Sequence, residues 1–129
     1  MLGIDTNIVV RLLTLDPPEQ ARRARDLIAR HEVFVSVTVI LETAWVLREC
    51  YELAAEDIAR ALDRFCALAQ VTIGEAQAVR RALRWMEAGL DFADALHLAQ
   101  DGSCEAFATF DKKLAKRARG VDSLEVRLA

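Results

Sequence analysis

Asp5, Glu42, Asp94 and Asp111 are the residues whose type and placement could do chemistry, because each is a carboxylate set at the end of an apolar run or among apolar neighbours. Asp5 closes the run Met1 to Ile4, in Gly3-Ile4-Asp5-Thr6-Asn7, and a helical pattern from Ile8 to Leu13 follows. The carboxyl end of a strand is where open α/β sheets bind ligands. Capping of the next helix by Asp5, Thr6 or Asn7, worth ~1 kcal/mol, accounts for the same residues. Glu42 lies in Val39-Ile40-Leu41-Glu42-Thr43-Ala44-Trp45-Val46-Leu47, where its helical neighbours Thr38, Val39, Trp45 and Val46 give it a largely apolar face. An ionised carboxylate on a buried face loses its water at heavy cost. A local fray or a buried arginine partner would account for Glu42, and a function is the favoured reading. Asp94 repeats the pattern in Leu90-Asp91-Phe92-Ala93-Asp94-Ala95-Leu96-His97-Leu98-Ala99, one turn into a helix that Asp91 would cap. There it complements the helix dipole, yet its flanking residues are those of a buried helix. Asp111 follows Ala106-Phe107-Ala108-Thr109-Phe110, opens Lys112 to Ala118, and so mirrors Asp5.

These four acids are expected at one edge of a sheet, and their convergence would need compensation. Two bare carboxylates about 4 Å apart repel by ~4 kcal/mol at the effective dielectric near a protein surface, which exceeds the ~1 kcal/mol of a cap. Hard oxygen donors without a Cys or His cluster select magnesium, with manganese able to substitute, over zinc. Such a cation suits phosphodiester hydrolysis, since it polarises the scissile phosphate and makes a bound water acidic enough to attack. A metal-free ribonuclease would instead use paired acid and base groups, often two histidines. The chain has only His31, expected as a helix-end cap or surface residue, and His97, one turn beyond Asp94, which would border the site or, in the favoured reading, hydrogen-bond within the core. Trp45, Tyr51 and Trp85 could stack bases, although helix packing is the commoner use.

The elements that must position these acids follow from the patterning. β-rich runs occur at Met1 to Ile4, Val33 to Ser36, Gln70 to Ile73 and Ala106 to Phe110, with a fifth candidate at Ser123 to Leu128. Asp16-Pro17-Pro18-Glu19 reads as a cap, a proline at the first helical position and an acid three residues on, opening a helix to about Arg30 with Ala21, Ala24 and Ile28 inward. Ile58, Ala61, Leu62 and Phe65, and likewise Val79, Ala82, Leu83 and Met86, recur at helical spacing. Strands alternating with helices predict βαβ units and a mainly parallel sheet covered on both faces. No linker or repeat interrupts the 129 residues, which predicts a single domain over 1–129.

Composition excludes several classes. An apolar fraction of 53% with 29% charged residues is too apolar for a disordered chain. The longest apolar run, Val33 to Leu41, falls well short of the ~20 residues of a membrane span. The first residues, Met-Leu-Gly-Ile before Asp5, lack a basic segment and an apolar leader, so no secretory signal is expected and the cytoplasm is the expected location. Cys50, Cys66 and Cys104 are odd in number and widely spaced, which predicts buried, reduced thiols rather than disulfides or a zinc site. Net charge is −3, but basic clusters at Arg22, Arg23, Arg25 and Arg30, at Arg80, Arg81 and Arg84, and at Lys112, Lys113, Lys116, Arg117 and Arg119 lend modest support to nucleic-acid contact. Solvated helix faces are the commoner origin of such runs.

Taken together the motifs have a family likeness. Asp5-Thr6-Asn7 with Ile8-Val9-Val10-Arg11, Val35-Ser36 through Leu41-Glu42-Thr43, Asp91 to His97, and Thr109-Phe110-Asp111 fall in an order and spacing that resemble the PIN-domain ribonucleases, and within them the VapC-type toxins of toxin-antitoxin pairs. The resemblance covers essentially the whole chain. It implies a three-layer α/β/α sandwich with a mainly parallel sheet of four to five strands. It implies a magnesium site with Asp5 and Asp94 as the firmest ligands, Glu42 assisting, and Asp111 acting directly or through water. Thr6 and Asn7 look like groups that orient the first carboxylate, and Asp91 like the border of the site. An RNA substrate, a homodimer, and a small antitoxin laid across the acidic groove are implied as well, with an antitoxin arginine able to occupy the cation's place. Three rivals remain at this level. A phosphatase with an aspartyl nucleophile normally needs a second Asp two positions on, where this chain has Asn7. A non-toxin RNA-processing nuclease shares the same acids, and a catalytically idle RNA- or protein-binding module has no need to keep all four.

Overall fold

Each β-rich run becomes a strand trimmed at its ends in the computed structural model, which describes residues 1–121 and 124–129. The strands are β1 (Leu2–Gly3), β2 (Val33–Val35), β3 (Val71–Ile73), β4 (Ala106–Thr109) and β5 (Glu125–Leu128). Ser123, the expected start of the last run, lies outside the described residues. The helices are α1 (Thr6–Thr14), α2 (Pro18–Arg30), α3 (Val37–Glu49), α4 (Ala55–Cys66), α5 (Ala76–Glu87), α6 (Phe92–Gln100) and α7 (Lys112–Ala118). The result is a mixed α/β protein in which every described strand pairing is parallel. The strands fall into two sheets, in the orders β1-β2-β3 and β4-β5, rather than one sheet of four or five. Strand pairing is fixed by residues far apart in sequence, so local patterning reports the strands but not their partners.

The chain divides into two compact units, Met1–Ala76 and Gln77–Ala129. In the first, β2 is the central strand, with Leu2 opposite Val33 and Val33 opposite Val71. Val33 and Val35 are fully buried while Phe34 between them is 39% exposed. That alternation differs from the continuous burial expected of a strand covered on both faces. The helices α1 and α2 pack together, α1 also meets α3, and α4 packs on α3 and β3. The predicted inward face of α2, Ala21, Ala24 and Ile28, is buried as read. Its start is one residue late: Pro18 takes the first helical position, Pro17 stands at the cap with no side-chain bond, and Asp16 instead accepts the Tyr51 hydroxyl at 3.2 Å. In α4, Ile58, Leu62 and Phe65 are buried as expected, but Ala59 takes the inward place given to Ala61.

In the second unit α5 buries Val79, Ala82, Leu83 and Met86, joined by Ala78. The helix ends on Gly89, whose φ of 111° is a conformation that side chains rarely adopt. The Gly89 N–H donates to the Met86 carbonyl and the Leu90 N–H to the Trp85 carbonyl, both at 3.0 Å. This pair of bonds is a Schellman closure, and it leads the chain directly into Asp91, the cap of α6. Arg117 secures the turn from α7 by donating to the Gly89 carbonyl at 3.2 Å. Beyond α6, α7 packs on the β4-β5 pair.

None of the three cysteines is in a disulfide, as expected, but they are not buried. Cys50 and Cys104 are exposed and Cys66 is partly so, because Cys50 stands at the end of α3 and Cys104 in the turn before β4. Among the described residues no helix is long and apolar enough to cross a membrane. Substituting Gly89→Ala should destabilise the protein by about 1–2 kcal/mol, since a Cβ there meets no neighbour within 4 Å and the cost is conformational. Urea unfolding of the variant against the native protein measures it.

Candidate active site

In the first unit the acids are organised around the N-terminus of α1. Asp5 is extended and caps the helix, its Oδ1 accepting the Ile8 N–H at 3.3 Å. Among the described residues its other oxygen has no hydrogen-bond donor, so capping leaves half of the carboxylate available. Thr6 is buried, and its hydroxyl donates to Oε1 of Glu42, thirty-six residues away on α3. This bond ties α3 to the first turn of α1 and brings Glu42 beside the residue that follows Asp5. Thr6 therefore orients Glu42, whereas the sequence reading had it orienting Asp5. Asn7 is exposed and makes no bond to Asp5.

Glu42 is exposed and not held on a buried face, contrary to the expectation from its apolar neighbours. The inward face of α3 is Ile40, Thr43, Ala44 and Leu47, and the apolar neighbours counted around Glu42 lie off it, with Trp45 54% exposed. Among the described residues no buried arginine partners Glu42; Thr6 does.

In the second unit Asp91 and Asp111 are both helix caps. Asp91 Oδ2 accepts the Asp94 N–H at 3.3 Å, and Asp111 Oδ1 accepts the N–H groups of Lys113 at 2.9 Å and Leu114 at 3.1 Å. Asp94 stands in the first turn of α6, half-buried, and among the described residues its carboxylate has neither a hydrogen-bond donor nor an ion-pair partner. Burial raises its pKa above the ordinary aspartate value, the negative fields of Asp91 and Asp111 raise it further, and His97 lowers it. His97 is exposed, so the core role expected for it is replaced by an electrostatic one beside Asp94. His31 ends α2 on the surface, as read.

Asp5 and Glu42 thus belong to the first unit, and Asp91, Asp94 and Asp111 to the second. Within neither unit do three or more His, Cys, Asp or Glu side chains among the described residues stand where they would hold a metal ion. The donor chemistry nevertheless fits one. Asp94 is a half-buried carboxylate in the negative field of two neighbours, without a hydrogen-bond donor among the described residues, and oxygen donors of this kind favour a hard divalent cation.

A feature beside Asp5 was not expected from the sequence. A cleft of about 300 Å³ opens between α1 and α2, lined by Asn7, Arg11, Gln20 and Arg23 over an apolar floor that includes Ile8 and Leu27. Arg11 Nε donates to Gln20 Oε1 at 2.7 Å. Its sequence signal was an arginine at the fourth position after Asn7, on the same helical face, within the otherwise apolar run Ile8 to Leu13.

A PIN domain family profile matches residues 3–120, a span that takes in every acid from Asp5 to Asp111. The chain belongs to the PIN domain family. PIN domains are generally nucleases that use divalent metal ions such as magnesium and act on nucleic acid, so nuclease activity follows at that level. Comparison with curated proteins gives no match, and comparison with solved structures gives none.

Asp94 gives a signed pH prediction. Its folded pKa stands above its unfolded one, so its ionised form weighs against the fold, and that penalty is relieved as pH falls through the folded pKa. In chelator, Asp94→Asn should therefore melt at a higher temperature than the native protein near pH 7. The gap should close once the pH is low enough to protonate the aspartate in both states, as parallel melting curves across pH would show.

Proposed function

We propose that this PIN domain is a magnesium-dependent endoribonuclease and the toxin of a toxin-antitoxin pair. The observation that carries the reading is the Asp94 carboxylate, half-buried, in the negative fields of Asp91 and Asp111, and without a donor among the described residues. The family match and the order of the acidic motifs support the nuclease; the likeness to VapC-type toxins supports the biological role. In this reading residues 1–129 form a single PIN-like domain, a three-layer α/β/α sandwich. Asp5 and Asp94 hold the cation most firmly, Glu42 assists, and Asp111 contributes directly or through water.

When bound, the cation neutralises phosphate charge and makes hydrolytic water reactive near neutral pH, with manganese able to replace magnesium. The residues do the remaining work. Asp5 and Asp111 each keep one oxygen outside their helix-capping bonds, so metal binding does not compete with the caps. Thr6 fixes one oxygen of Glu42, limiting the rotamers it must lose on engagement. Asp91 holds the first turn of α6 in register, which sets where Asp94 begins. His97 is exposed, and its field favours the ionised form of Asp94.

The remaining parts of the proposal are a cytoplasmic homodimer and a small antitoxin whose basic side chain substitutes for the cation in the inhibited complex. A catalytically idle binding module would have no need of a carboxylate left at a cost like that of Asp94. Cleavage of cellular RNA by the purified, antitoxin-free protein, with and without magnesium, tests the enzyme. Asp5→Asn and Asp94→Asn should each lower magnesium-dependent cleavage by about 100-fold or more while melting cooperatively. Products should carry 5′-phosphate and 3′-hydroxyl ends. Chelator-resistant cleavage, or cyclic phosphate ends, would overturn the mechanism.

A further inference from the structure

We infer that the cleft between α1 and α2 is a subsite for single-stranded RNA, in which Arg11 and Arg23 take backbone phosphate and the apolar floor takes a base or ribose face. The inference deepens the ribonuclease reading and rests on it for the identity of the polyanion. Four observations carry it. The cleft, of about 300 Å³, is of the size that receives a small organic group, and it holds two guanidinium side chains while none of its lining residues is acidic. Among the described residues neither Arg11 nor Arg23 has a carboxylate partner, so both charges are uncompensated. The bond from Arg11 Nε to Gln20 Oε1 orients that guanidinium and leaves its two amino groups, the fork that matches phosphate oxygens, without a protein acceptor. Finally, Asn7 lines the cleft two residues after Asp5, so within the first unit the cleft adjoins the turn that carries the first acid.

A nucleotide fits this chemistry better than a free phosphate does. The mouth is cationic and carboxamide-lined, whereas Ile8, Leu27 and the stems of the arginines present apolar surface that an inorganic anion would leave unused. Sequence-specific contacts are not required, since phosphate neutralisation binds a strand without base readout.

The test is fluorescence anisotropy of a short labelled oligouridylate with the full-length protein in EDTA, across a series of potassium chloride concentrations. Arg11→Ala and Arg23→Ala should each weaken binding by about tenfold and reduce the slope of log affinity against log salt by about 0.7. Gln20→Glu places a carboxylate against Arg11 without removing any cation, and should weaken binding comparably; it keeps the test decisive if Arg11→Ala does not fold. Arg60→Ala, which removes an exposed α4 arginine paired with Asp57, should leave binding unchanged. In magnesium, Arg23→Ala should raise KM with little change in kcat. Arginine-dependent binding without magnesium-dependent cleavage would uphold the subsite while defeating the ribonuclease reading. Normal cleavage with unaltered binding and KM in the arginine variants would defeat the subsite and leave the nuclease standing. Equal loss in Arg60→Ala would overturn it as well, and so would polyglutamate competing as well as RNA at equal charge, which would make the cleft a docking site for acidic protein segments.

Discussion

Ionised Asp94 is opposed by the loss of water and by two neighbouring negative charges. Neither neighbour can retreat cheaply. Asp91 and Asp111 are helix caps, and swinging either carboxylate away would give up bonds that hold the first turns of α6 and α7, at about 1 kcal/mol for each cap. The secondary structure thus keeps negative charge near Asp94 whether or not a ligand is present. Exposed His97 offsets only part of this. A divalent cation would relieve the arrangement without disturbing a cap.

The first unit solves a different problem, that of carrying a glutamate from α3 to the start of α1. The Thr6 hydroxyl does so with one bond, from a side chain that is itself buried and therefore fixed. The positive end of the α1 dipole favours both carboxylates there. Farther along α1 the character reverses. Asn7 and Arg11 face the cleft with α2, so one helix presents acid at its cap and base a turn later. A chain with a net charge of −3 can hold a polyanion on such a local cationic strip, because screening confines interactions to about 10 Å.

The helices and the caps were the most legible parts of the sequence. Asp5, Asp91 and Asp111 were each read as possible caps from their position before a helical pattern, and each is one, because capping depends on residues within three positions. The inward faces of α2 and α5 followed from 3.6-residue periodicity. Long-range features were not legible. The Thr6–Glu42 bond spans thirty-six residues, and the division of five strands between two sheets rests on pairings that no local pattern encodes. Glu42 was misjudged because apolar neighbours were taken to mean burial, whereas the surface of a folded protein is itself largely apolar, as exposed Trp45 illustrates. The cleft arginines were hidden for a similar reason: Arg23 sat in a basic run that resembled any solvated helix face.

The most direct measurement is a carbon-detected NMR titration of the Asp94 side-chain carboxyl, with and without magnesium. The account predicts a midpoint above that of an ordinary aspartate in chelator, falling when magnesium is added, as the cation takes over the charge that Asp91 and Asp111 oppose. A midpoint that magnesium leaves unmoved, at concentrations supporting RNA cleavage, would contradict the claim that this carboxylate holds the metal.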